Sequence, residues 1–276
     1  MKNMVITSFL LSAAICIGTA AFAAPPLRHG VGRGRSPVTT QEAAEVKKAN
    51  EKSKRRIAPY LTDEGSSGRL TWKEYTVNPK AKGEATLLVV FGGRDSVKDG
   101  RGEAKIPVAI EKAISHASLL PRSGRLIVLV PDMMVGESRR GRGGRETPVS
   151  EGMPKLVRSR MEKHGVKAER TFATGFSMGG GLVYSLLNDD PTLFARALVV
   201  GASGNPNATK DIRAEILDYH GADDDYIPAV RVKAFAEAVN AKTSGRMRLE
   251  TLDKTGHAES ETAAYSRNDA WKWMFR

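Results

Sequence analysis

The sequence has a single cysteine, Cys16, and it lies in an apolar segment near the N-terminus. Residues 1–23 have the pattern of a secretory signal peptide, because Lys2 precedes an apolar run and the small residues after it end at Ala23. The run is shorter than the roughly 20 residues of a membrane-spanning helix, so we expect no stable membrane insertion. Cleavage after Ala23 leaves no cysteine, which excludes disulfides, a thiol nucleophile and cysteine-ligated metals. We therefore expect a secreted or periplasmic protein that is held together by packing.

Aromatic residues are also scarce, at 6% of 276 residues, and with 27 glycines and 13 prolines the composition fits neither a collagen repeat, a coiled coil nor a polytopic membrane protein. The net charge of +12 suggests an anionic partner, but much of it lies in residues 24–57, which carry nine Lys and Arg against three Glu. We interpret residues 24–57 as a basic, flexible arm outside the core. No nucleic-acid binding is expected, because no aromatic side chains are interleaved for base stacking.

Residues 58–276 show the alternation of strands and helices that is typical of one α/β domain. Leu70–Val77 alternates like an exposed or edge strand, whereas other strands are continuous apolar runs that predict burial on both faces. The buried strands are predicted at 85–91, 125–130 and 193–200, and further strands at 214–219 and 247–252. Helices are predicted at 106–120, 154–164, 178–187, 228–241 and 261–275. We predict a doubly wound, mostly parallel sheet with helices on both faces, whose functional site lies beyond the carboxyl ends of the strands.

One pentapeptide, Gly175-Phe176-Ser177-Met178-Gly179, follows a short strand-compatible segment and precedes a predicted helix. Strand, turn and helix are the setting of a nucleophile elbow, in which a serine sits on a strained turn. Gly175 and Gly179 would be needed where a Cβ would clash with the backbone of that turn. Ser177 is thus the candidate nucleophile, and it requires a histidine base and an acid that orients that base.

This motif, together with the segment His220-Gly221-Ala222-Asp223-Asp224-Asp225-Tyr226-Ile227-Pro228, resembles the α/β-hydrolase superfamily over roughly residues 70–276. The sequence around Ser177 is most similar to the group that contains polyhydroxybutyrate depolymerases, feruloyl esterases and dienelactone hydrolases. The resemblance implies carboxylic ester hydrolysis without a cofactor or a metal.

The resemblance also implies positions for the remaining site residues. The catalytic acid would be Asp224, with Asp223 and Asp225 as the alternatives. If Asp224 is the acid, Asp223 and Asp225 would cap the helix that is predicted to begin at Pro228. The base would be His257, since it is the only histidine C-terminal to the segment His220–Pro228, the acid loop. The oxyanion hole would consist of the N–H groups of Gly93 and Met178, although the chain has Phe91-Gly92-Gly93-Arg94 where relatives commonly have His-Gly.

Only residues 201–213 separate two predicted strands at the place where related enzymes insert a lid, so we expect no large cap domain and an open site. An open site favours bulky or polymer-linked esters. The arginines of the loop at residues 136–146 would either recognise an anionic acyl or sugar group or belong to a loop that is only solvated. The function expected from the sequence is a secreted serine esterase. The alternatives are a serine peptidase of the same fold and a non-catalytic binding protein that keeps it. Nothing in the sequence indicates the oligomeric state.

Overall fold

An eight-stranded sheet is the centre of the computed structural model, which describes residues 40–68, 70–97, 103–121, 124–133, 135–136, 147–148 and 150–276. The strands are β1 (Leu61–Ser67), β2 (Leu70–Val77), β3 (Ala85–Phe91), β4 (Arg125–Pro131), β5 (Val135–Gly136), β6 (Thr147–Pro148), β7 (Thr171–Phe176), β8 (Arg196–Val200), β9 (Glu215–Gly221) and β10 (Met247–Leu252), and β5 with β6 forms a separate hairpin. The sheet order is β1-β2-β4-β3-β7-β8-β9-β10. Among the described pairings of this eight-stranded sheet, only the two made by β2 are antiparallel, which confirms the predicted mostly parallel sheet.

Helices cover both faces of this sheet, as predicted. They are α1 (Thr40–Ile57), α2 (Val108–Ser115), α3 (Met153–His164), α4 (Met178–Asp189), α5 (Ala229–Lys242), α6 (His257–Tyr265) and α7 (Asn268–Phe275). Alternate residues of β3 divide between two apolar clusters, so that Leu87 and Val89 pack with α3, α4 and α5, whereas Leu88 and Val90 pack with α2, α6 and α7. Within the described ranges, no helix combines the length and the apolar character that crossing a bilayer requires.

Several predicted elements have other bounds in the structure. The helix predicted at 261–275 is divided into α6 and α7, because the chain turns after Tyr265 and lets the Trp271 indole N–H donate to the Tyr265 carbonyl at 2.8 Å. The helix predicted at 106–120 is shorter: α2 begins after Pro107, and a 3-10 turn, Ala117–Leu119, follows it. The strand predicted at 193–200 begins at Arg196.

The strand Leu70–Val77 is not at the edge of the sheet, because the unpredicted strand β1 pairs with it on its outer side. Glu74 of this strand is fully buried and accepts hydrogen bonds from Arg160 Nε at 2.6 Å and from His164 Nε2 at 2.9 Å. Burial disfavours the charged Glu74 carboxylate, but the hydrogen bonds from His164 and Arg160 outweigh it and hold the pKa of Glu74 below its usual value. A buried ion pair thus fastens α3 to this strand.

The second half of the predicted arm, helix α1, packs on the domain. Asn50 is 2% exposed, donates from Nδ2 to the Ala104 carbonyl at 2.9 Å and accepts from the Ile106 N–H at 3.0 Å. Ile57, the last residue of α1, is 3% exposed. Residues 40–57 therefore differ from the predicted free extension, because one amide and one apolar side chain anchor them. The predictions for residues 1–39 and for the loop at 137–146 lie outside the described residues.

We expect Asn50→Ala to lower the free energy of unfolding by about 1 to 3 kcal/mol, since two backbone groups of the segment before α2 lose their partner. Urea denaturation of the full chain measures this. Lys48→Ala, at an exposed position of the same helix, is the matched control and should change stability by less than about 0.5 kcal/mol. Equal stability of the two variants would mean that α1 does not contribute to the fold.

Candidate active site

Ser177 stands on the sharp turn between β7 and α4. Its φ of 52° and ψ of −116° place a residue that is not glycine in the left-handed half of the backbone map, where a Cβ is strained. The turn is held because the Ser177 N–H donates to the Val200 carbonyl of β8 at 2.9 Å, and the Ser177 carbonyl accepts from the Gly181 N–H at 3.0 Å. This is the strained strand–turn–helix geometry that the sequence predicts for the candidate nucleophile.

The two glycines that flank Ser177 allow this turn to close. A Cβ on Gly175 would lie 2.5 Å from the Gly179 carbonyl carbon. A Cβ on Gly179 would lie 2.4 Å from the carbonyl oxygens of Phe91 and Gly92, at the end of β3. All these partners are backbone atoms that cannot rotate away, so glycine is required at both positions.

We expect Gly179→Ala to abolish most activity and to destabilise the fold by several kcal/mol, on the order of the cost of strain and overpacking in a closed core. The same substitution at Gly181, two residues further in α4, is the matched control, because no atom lies within 4 Å of the position of its added Cβ. Gly181→Ala should keep activity and raise stability by up to about 1 kcal/mol through the better helix propensity of alanine. Parallel thermal melts and ester assays would refute the steric account if the two variants behaved alike.

His257 is the first residue of α6 and therefore lies just beyond the loop predicted for it. Its Nε2 is 2.8 Å from Ser177 Oγ, and its Nδ1 is 2.7 Å from Asp224 Oδ2. Because the Asp224 carboxylate can only accept, Nδ1 carries the proton and Nε2 is free to accept the proton of Ser177. The imidazole also contacts two aromatic rings, since the ring centroids of Phe176 and Tyr226 are 5.1 Å and 5.2 Å from its own.

Of the three consecutive aspartates, only Asp224 contacts His257. Asp224 is 7% exposed, and its Oδ1 accepts from the backbone N–H groups of Tyr226 at 2.9 Å and Ile227 at 2.8 Å. Asp223 and Asp225 are exposed. The structure shows no side-chain cap at Pro228, before α5, so the capping role predicted for these two aspartates is wrong. Backbone donors thus fix one oxygen of Asp224 and direct the other at His257.

His220, at the end of β9, supports the acid loop from below, a role that the sequence does not reveal. It is 1% exposed, and its Nε2 donates to the Ile227 carbonyl at 2.8 Å. Two residues earlier in β9, the fully buried Asp218 accepts a hydrogen bond from the Tyr184 hydroxyl of α4. Burial raises the pKa of Asp218 well above its ordinary value, which favours the uncharged carboxyl. Two separate hydrogen bonds therefore join β9 to the rest of the site, one to the nucleophile helix α4 and one to the acid loop.

The two residues predicted to form the oxyanion hole lie beside the turn. Met178 is the first residue of α4, so its N–H has no acceptor within the helix. Gly93 follows β3, and a Cβ added to it would lie 2.8 Å from the Phe176 ring, so this loop lies against the residue before Ser177. Gly93 thus lies beside Phe176, and Met178 directly follows Ser177 in the chain. The described residues contain no group of three or more His, Cys, Asp or Glu arranged to hold a metal ion.

Comparisons with known proteins relate the chain to one family of sequences and to several solved structures. Residues 148–266, which include Ser177, Asp224 and His257, match the sequence model of the Phospholipase/Carboxylesterase family. No curated protein sequence matches the chain.

Solved structures resemble the fold at low sequence identity. The structure of a thermostable esterase is 19% identical with a TM-score of 0.63, over 79% of this chain but only 63% of that protein. The structure described as a putative dienelactone hydrolase from Klebsiella pneumoniae is 20% identical with a TM-score of 0.54, over 78% of this chain and 95% of that one. The ferulic-acid complex of Est1E from Butyrivibrio proteoclasticus is 12% identical with a TM-score of 0.55, over 77% and 97%.

Proposed function

We propose that this chain of the α/β-hydrolase fold is a carboxylic ester hydrolase, and that it cleaves esters through Ser177, His257 and Asp224 and a covalent acyl-enzyme. The observation that carries the proposal is the continuous chain of hydrogen bonds from Asp224 Oδ2 through the His257 ring to Ser177 Oγ, at 2.7 Å and 2.8 Å. A serine hydroxyl that is aligned with an oriented imidazole is the arrangement that nucleophilic acyl transfer requires.

The first half of the reaction transfers the acyl group to the enzyme. Ser177 Oγ forms a bond to the ester carbonyl carbon while its proton moves to His257 Nε2, and the carbonyl oxygen takes up negative charge between the N–H groups of Gly93 and Met178. Asp224 stabilises the imidazolium that forms. When the carbonyl re-forms, the bond to the alcohol oxygen breaks, and that oxygen receives the proton from Nε2.

The second half returns the enzyme to its starting state. Water adds to the acyl carbon and gives one proton to His257 Nε2. The bond between the acyl carbon and Ser177 Oγ then breaks, Ser177 regains its proton from Nε2, and the carboxylic acid leaves. Alcohol and acid are the only products, so the cycle consumes water and needs no cofactor.

We propose that this site hydrolyses bulky or polymer-linked esters and that the protein is secreted or periplasmic. Two features support the bulky substrates. The segment between β8 and β9, residues 201–214, contains one short 3-10 turn, Pro206–Ala208, and is too short for a cap. Tyr226, whose ring lies against His257, is 73% exposed, so the site has an open rim. The secretory pattern of residues 1–23 supports the location.

An ester and amide panel on the purified chain tests this function. Small acetyl esters and polymer-linked esters should be hydrolysed, and amides of the same acyl groups should be hydrolysed far more slowly. Comparable amide turnover would favour the serine peptidase, and no turnover of any compound would favour a binding protein of this fold. A large preference for small esters over bulky ones would contradict the open site but not the proposed chemistry.

A further inference from the structure

Two large apolar side chains, one in the acid loop and one at the start of α5, are exposed to solvent. Among the described residues, the large apolar side chains that are exposed are Leu61 at 41%, Tyr226 at 73% and Val230 at 71%. Leu61 belongs to β1, whereas Tyr226 and Val230 lie four residues apart, between Asp224 and the first turn of α5. Exposed apolar side chains are individually common, but the ring of Tyr226 lies against the candidate catalytic histidine, which suggests a contact surface there.

Tyr226 is held in place although it is exposed. Its N–H donates to Asp224 Oδ1 at 2.9 Å, and its ring lies 5.2 Å from the His257 ring at an interplanar angle of 32°. The Phe176 ring also contacts the His257 ring, with the centroids 5.1 Å apart. Because the backbone of Tyr226 is fixed and its ring already packs against His257, the side chain loses little conformational freedom when a ligand covers the rest of the ring.

The chemistry of the site decides which part of an ester meets Tyr226. His257 Nε2 must come within hydrogen-bond distance of the leaving alcohol oxygen in order to protonate it. In the proposed mechanism, the carbonyl oxygen lies elsewhere, between the N–H groups of Gly93 and Met178. The alcohol portion of the substrate therefore leaves the reacting carbon on the side of His257, and this is the side where Tyr226 stands.

We infer that Tyr226 is the contact surface for the alcohol portion of the ester, and that the enzyme favours esters of aromatic alcohols. Aromatic rings pack well against a tyrosine ring at the distances seen here, and the open rim leaves room for a large group. The inference rests on the proposed function and adds to it the side of the substrate that is recognised. Tyr226 is in this account a specificity residue and takes no part in proton transfer.

The test compares pairs of esters in which one aromatic ring is added on one side only. Ethyl acetate and 2-phenylethyl acetate differ in the alcohol, whereas ethyl acetate and ethyl 3-phenylpropanoate differ in the acyl group. The alcohols released are ethanol and 2-phenylethanol, both primary and similar in acidity, so leaving-group chemistry contributes little to either ratio. The quantity measured is kcat/KM, because it reports acylation, the step in which the alcohol is still present.

Tyr226→Ala should lower the ratio of kcat/KM for 2-phenylethyl acetate to that for ethyl acetate by roughly threefold to tenfold, the range expected for one lost aromatic contact. The ratio for the acyl pair should stay within about twofold of wild type. Tyr226→Phe should restore the alcohol ratio, because it keeps the ring. Tyr226→Gln, which is long but not aromatic, should not. Leu61→Ala, the exposed apolar residue of β1, should change neither ratio.

Three results would overturn the inference. Equal losses on both ester pairs would make Tyr226 a support of His257 without a role in specificity, and a change confined to the acyl pair would place it on the other side of the substrate. No change in either ratio would remove it from the substrate altogether. Failure of the proposed function gives a different result, since hydrolysis of all three esters would then be absent in the wild type or would survive Ser177→Ala.

Discussion

Ser177→Ala is expected to lower kcat for ester hydrolysis by about 10⁴-fold to 10⁶-fold and to leave the protein folded. The loss is large because the hydroxyl that forms the acyl bond, 2.8 Å from His257 Nε2, is removed. Alanine keeps the Cβ of serine and so carries the same backbone strain at a φ of 52°, which means that the turn itself need not change. Single-turnover assays and a thermal melt of the variant measure both parts.

A matched serine controls this experiment. Ser185 is an exposed residue of α4, eight positions further along the chain, and its hydroxyl donates only to the Gly181 carbonyl. Ser185→Ala should keep kcat within about twofold. If Ser177→Ala retained a substantial fraction of the wild-type rate, another nucleophile would be responsible, and the site would have to be sought elsewhere.

Asp224→Asn is expected to lower kcat by about 10³-fold to 10⁴-fold. In the structure, one Asp224 oxygen accepts from His257 Nδ1, and the other accepts from the N–H groups of Tyr226 and Ile227. An asparagine has only one oxygen, so its NH₂ group must meet a donor on one of these two sides, whichever way the amide is turned. Either the acid loop loses its hydrogen bonds or His257 adopts the wrong tautomer.

Asp223→Asn and Asp225→Asn make the comparison sharp, because they introduce the same chemical change one position away. Both side chains are exposed, and neither contacts His257, so we expect kcat within about twofold of wild type. Steady-state kinetics on one neutral ester are sufficient. Similar losses in all three variants would show that the charge or the fold of the loop matters, and that no single carboxylate orients His257.

Much of the sheet and the order of the site residues could be predicted from the sequence. Continuous apolar runs such as Ala85–Phe91 indicate strands that are covered on both faces, and the structure buries every residue of that run. The glycines around Ser177 were predicted from the steric demands of the turn, and the short distances from their added Cβ atoms agree. These features depend on local sequence, where a pattern and its physical cause lie close together.

The features that were missed depend on contacts between distant parts of the chain. Glu74 lies in an alternating strand that looks solvent-exposed, and its burial depends on Arg160, 86 positions away. Asn50 belongs to a polar, basic segment, and its burial depends on two bonds to the chain near Ile106, more than 50 positions away. A polar residue buried by one partner leaves no periodic signal, so sequence patterning cannot distinguish it from a solvated one.

The ring contacts of His257 were missed for the same reason. Phe176 occupies a variable position of the serine motif, and Tyr226 follows the run of three aspartates, so neither residue belongs to a pattern that indicates a role. Only the folded chain brings both rings to about 5 Å from the imidazole. Residues that shape specificity are thus the part of the site that the motif does not contain.

Covalent labelling of the wild-type chain tests the central claim most directly. A fluorophosphonate reacts with a serine that is activated by a histidine base, and peptide mass spectrometry identifies the modified residue. The account predicts one label per chain, at Ser177, together with loss of ester hydrolysis in proportion to labelling. Label at a different serine, or full labelling of Ser177 with hydrolysis retained, would contradict it.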